Sequence, residues 1–88
     1  MFASGRLMAA PGALEKLQAN GRKPLEFFAR HLSGDWGDVS PEDCQANDAA
    51  SAQGARILSI YHLDDGTKVW IITEADRSST CILLPDEY

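Results

Sequence analysis

The sequence predicts one α+β domain spanning residues 1–88. About three N-terminal helices, with room for a first strand, pack on a C-terminal three- to four-stranded antiparallel sheet. Three observations predict it. Eighty-eight residues make a single domain. Segments of helical period, each opened by a proline, occupy the first half, and glycines or polar turns end them. Runs rich in β-branched and aromatic residues, separated by two polar turns, occupy residues 57–84.

Taken in order, "MFASGRLMAA" has the apolar content of an edge strand ending near Ala9. "PGALEKLQANG" is a short helix with Pro11 in its first turn, Leu14 and Leu17 on one face, and Asn20-Gly21 as its stop. "KPLEFFARHLSG" is a second helix, opened by Pro24. Leu25, Phe28 and Leu32 form a stripe joined by Phe27, and Gly34 closes it. "GDWGDVS" holds two glycines and two aspartates and is a turn. "SPEDCQANDAASAQG" is a third helix with Ser40 as N-cap, Pro41 at N1, Asp43 at N3 and Gly54 as its stop. "RILSIYHL" alternates loosely, with Ile57, Ser59, Tyr61 and Leu63 on one face. "DDG" is a hairpin signal leading into "TKVWIIT". "EADRSS" is a second turn leading into "TCILLP".

Charge is unevenly distributed around the net −5. Residues 1–34 carry five bases against two acids. Residues 35–54 carry five acids and no base. Residues 55–88 carry three bases against six acids. This balance disfavours direct binding of nucleic acid. No metal or cofactor motif is present, and Asp35 and Asp38 lack a third ligand for a divalent cation. Cys44 and Cys81 have no zinc spacing and are expected as thiols. The N-terminus lacks the apolar run of a signal peptide, and nothing approaches membrane-spanning length. A cytoplasmic location is therefore expected.

Two sets of residues carry candidate function. The first is catalytic. His31 has the reference pKa of a neutral-pH acid or base. With Glu74 as an alternative base, Arg77 to stabilise charge on phosphate and Thr80 to bind a phosphate oxygen, it would compose a metal-independent ribonuclease site. The structural alternative has His31 capping its helix or tied to Asp35, and "TEADRSST" as turn chemistry. The second set is a partner surface: Asp35, Asp38, Glu42, Asp43 and Asp48, with Trp36 either plugging a thin core or offering a ring to a ligand. Carboxylates spaced like phosphates would occupy a basic groove in another protein, with salt-sensitive affinity.

The stretches "PGALEKL", "PLEFFARHLSGDWGD", "RILSIYHLDDGTKVWIITEADRSST" and "ILLPDEY" resemble a small family of bacterial proteins carried on plasmids and other mobile elements. The resemblance covers nearly the whole chain and implies an accessory protein of such an element. One role it suggests is inhibition of a host defence nuclease or nucleic-acid-binding complex. A weaker fold-level similarity is to the barnase–EndoU–colicin–RelE ribonucleases, through Arg30-His31 and Ser79-Thr80. The expected partner is a protein, such as a host protein that itself binds nucleic acid. An exposed edge on so small a sheet also invites a homodimer.

Overall fold

A computed structural model describes residues 2–88. The chain runs β1 (Arg6–Ala9), α1 (Pro11–Ala19), α2 (Pro24–Leu32), α3 (Pro41–Gln53), β2 (Ile57–His62), β3 (Lys68–Thr73) and β4 (Ser79–Leu83). A single 3-10 turn, Pro85–Glu87, follows. The α+β arrangement with N-terminal helices is the one the sequence predicts. The sheet order is β1-β4-β3-β2. β2, β3 and β4 form an antiparallel meander, whereas β1 pairs with β4 in parallel, so the sheet is mixed rather than wholly antiparallel.

Each helix starts where its local chemistry directs. Pro11, Pro24 and Pro41 stand at the first helical positions, where a missing N–H costs nothing. Ser40 Oγ accepts from the Asp43 amide at 3.1 Å. Gly54 ends α3 in the left-handed region at φ +78°. The N-terminus of α1 is completed from the far end of the chain, because the Glu87 carboxylate accepts from the amides of Gly12 (2.7 Å) and Ala13 (3.1 Å).

On one face of the sheet, Tyr61, Val69, Ile71 and Ile82 pack against Ala13 and Leu17 of α1 and Phe27 and Phe28 of α2. Each large side chain buried there stabilises the fold by about 1.5–3 kcal/mol. A second, smaller cluster joins Trp36, Ala50 and Ile57 beside α3.

The β2 edge is closed by the turn after α2. Ile60 donates to the Trp36 carbonyl at 3.0 Å, and the Asp38 amide donates to the Ile60 carbonyl at 2.7 Å. The Asn47 side chain seals Leu58, two residues earlier, donating to its carbonyl (2.7 Å) and accepting from its amide (3.2 Å). Gly37 sits in this contact at φ +75°, where a Cβ would lie 2.0 Å from the Ile60 carbonyl oxygen. Only glycine fits there.

Candidate functional site

The last turn of α2 turns His31 inward, on the face that carries Phe27 and Phe28 one turn earlier, and buries it completely. Both ring nitrogens meet hydroxyls of the sheet: Nδ1 lies 2.5 Å from Ser59 Oγ, and Nε2 lies 2.9 Å from Thr73 Oγ1. Thr73 Oγ1 continues to Thr80 Oγ1 at 2.8 Å, and Thr80 donates to the Ser4 carbonyl at 2.8 Å.

That terminal carbonyl sets the direction of the chain, because a carbonyl can only accept. Thr80 donates its one proton there and must accept from Thr73. Thr73 must in turn accept from His31. The ring is therefore the neutral Nε2–H tautomer, and Nδ1 accepts from Ser59. Burial pushes the His31 pKa down to about 4, which keeps the ring uncharged at neutral pH.

An aromatic wall encloses this chain. The Phe2 ring lies edge-on to His31 (5.4 Å between centroids) and stacked on Trp36 (6.0 Å). Trp36 also meets His31 edge-on at 5.6 Å. Trp36 is only 4% exposed, and its indole N–H donates to Asp48 at 2.9 Å. Its ring fills the small core and offers no stacking face to a partner.

The Arg77 guanidinium lies over Phe2, 5.5 Å from the ring centroid. It is engaged by backbone: Nη1 donates to the carbonyls of Ala55 (2.7 Å) and Glu74 (3.1 Å), and Nη2 to that of Ala50 (2.7 Å). Arg77 thus adds a charged donor to the Ala50 carbonyl, which already accepts from the Gly54 amide at 2.9 Å, and clamps the end of α3 to the β3–β4 turn. It does so with its own backbone at φ +61°. Glu74 is partly exposed and faces Arg56 at 3.5 Å.

Of the four predicted catalytic residues, the structure joins His31 and Thr80 through Thr73 inside the core. Arg77 lies beyond the Phe2 ring, and Glu74 pairs with Arg56 away from the chain. Neither structural alternative for His31 holds: it caps no carbonyl, and the partner of Asp35 is Arg30, at 2.7 Å. Ser59, Thr73 and Phe2 were missed. Ser59 carried a signal, since it is the polar member of an otherwise apolar face between Ile57 and Tyr61.

The five acids of the partner set are all exposed, but they are not equally free. Arg30 holds the Asp35 carboxyl below the usual carboxylate range. Asp38 faces His62 Nδ1 at 2.6 Å, and Asp48 receives the indole. Glu42 and Asp43, in the first turn of α3, form no ion pair among the described residues.

Among the described residues, no three His, Cys, Asp or Glu side chains converge as a metal site requires, and no helix is long and apolar enough to cross a membrane. Both cysteines are free thiols. A surface groove of about 770 Å³ lies between α1 and the start of α2, floored by Leu14, Leu17 and Pro24. It contains none of the predicted site residues. No family model, curated protein or solved structure matches the chain.

Proposed function

We propose that the protein is a macromolecule-binding accessory protein of a mobile element, not an enzyme. Its Asp35–Asp48 segment would present carboxylates to a basic groove on a host protein that itself handles nucleic acid. One observation carries this reading. The acids of that segment face solvent on a backbone held by the β2 edge and the Ser40 cap. The histidine and threonine of the rival reading are enclosed. Glu42 and Asp43 are the leading contacts because they carry charge with no internal partner. The resemblance to plasmid-borne proteins supplies the setting, and a basic, defence-related partner would be the matching target.

The test is affinity capture of the tagged protein from its host at low and moderate salt, beside a Glu42→Lys/Asp43→Lys variant. A basic nucleic-acid-binding protein should be retained at low salt, released as salt rises and absent with the variant. Equal retention by the variant would remove the acidic segment from the account. Cleavage of RNA by the purified protein, lost in a His31→Gln variant that denaturation shows to be folded, would install the ribonuclease in its place.

A further inference from the structure

The sheet face turned away from the two core clusters is also apolar. Register places Leu58, Ile60, Trp70, Ile72, Cys81 and Leu83 on it, and Met8 beside Cys81. None of these residues belongs to either core cluster. A sheet face left to solvent reads as polar, with strict alternation along each strand. Here the strands are apolar on both sides, as in Val69-Trp70-Ile71-Ile72 and Cys81-Ile82-Leu83-Leu84. That is the pattern of strands buried on both faces.

Among the described residues, cover comes at one corner, where Tyr88 lies edge-on to Trp70 (6.0 Å) and Arg56 lies over the Tyr88 ring (5.1 Å). Ile72 and Leu83 are buried, whereas Leu58, Ile60, Trp70 and Cys81 stay half-buried and Met8 is exposed. The Trp70 indole Nε1 is shielded from solvent and has no hydrogen-bond partner among the described residues. A shielded donor left unpaired costs about 1–3 kcal/mol. Docking that turns the indole toward an acceptor on a partner would recover this.

The rim decides what kind of molecule brings it. Arg6, Arg56, His62 and Lys68 lie at the borders of this face. Arg56 is paired with Glu74 and His62 with Asp38, which leaves Arg6 and Lys68 without an ion pair among the described residues. A second copy would set two like-charged rims against each other. A nucleic-acid strand would find mostly aliphatic surface. The layer that ordinarily covers an apolar sheet face is an amphipathic helix.

We propose that the half-exposed part of this face docks an acidic amphipathic helix of another protein. Its apolar stripe would cover Leu58, Ile60, Cys81 and Met8, its carboxylates would meet Arg6 and Lys68, and an acceptor would pair with the Trp70 indole. Glu42 and Asp43 lie in α3, away from this face, and the acidic segment meets it where Asp38 pairs with His62, so the protein would join a basic partner at α3 to an acidic one on the sheet.

The probe is a synthetic amphipathic helix of leucine and glutamate, titrated into the 15N-labelled protein. The two tryptophans give two indole N–H signals, assigned by Trp70→Phe. The Trp70 signal should move downfield while the Trp36 signal stays in place. Arg6→Glu/Lys68→Glu should weaken binding by at least about tenfold at low salt, and Glu42→Lys/Asp43→Lys should leave it unchanged. A leucine–lysine helix that binds as well would overturn the proposal. So would an unmoved Trp70 signal, a Trp70 signal that shifts on dilution of the protein alone, or tighter binding to oligo-dT or anionic lipid vesicles.

Discussion

Acidification tests the hydroxyl-bound His31 directly. In the unfolded chain the ring titrates near 6.5, and in the fold burial lowers that value to about 4. The proton therefore prefers the unfolded chain. The stability that His31 supports is present above pH 6.5 and is lost as pH falls toward 4. The full difference corresponds to about 3 kcal/mol at 1.36 kcal/mol per unit. Between pH 7 and pH 5 the loss is about 2 kcal/mol, a large part of the ~5–10 kcal/mol expected of so small a domain.

The assay is urea denaturation at pH 7 and pH 5 for the native protein and for His31→Gln. Glutamine can still accept from Ser59 and donate to Thr73, but it does not titrate. The carboxyls held low in the fold, such as Asp35, Asp65 and Asp76, are present in both proteins. Their contribution has the same sign but is lost at lower pH. The variant's overall stability does not matter, because only the pH 7 to pH 5 difference is compared. The native protein should lose about 2 kcal/mol more than the variant, or roughly 10 °C in Tm. Equal losses, or a His31 ring that titrates near 6.5 by NMR, would refute the buried neutral imidazole.

Three further outcomes follow from the packing. Arg77→Ala should destabilise by about 2–3 kcal/mol in chemical denaturation, because the carbonyls of Ala50 and Ala55 lose a charged donor. Asp48→Ala should cost about 1–2 kcal/mol by leaving the Trp36 indole unpaired, read as a lower denaturation midpoint. Gly37→Ala should cost upwards of about 3 kcal/mol and expose Trp36 to fluorescence quenching, since the new Cβ collides with the Ile60 carbonyl.

Local structure was legible in the sequence wherever the cause was local. Ser40-Pro41 and Gly54 bracket α3 because a side-chain cap and a left-handed glycine act within a few residues. The β2–β3–β4 meander follows from short turns between apolar runs. The acids from Asp35 to Asp48 were expected at the surface for the same kind of reason, since a charged first turn favours solvent and the helix dipole.

Contacts across the chain were decided only by tertiary structure. That β1 pairs in parallel with β4 depends on where three helices return the backbone, which no local pattern encodes. His31 could have capped its helix or served as a base. Its role was settled when packing brought Ser59 and Thr73, from strands far along the chain, against both ring nitrogens. The turn residue Arg77 became a clamp on α3 because the end of that helix lies beside the β3–β4 turn. Side-chain chemistry and local propensity can be read residue by residue, whereas burial depends on what else arrives at the same place.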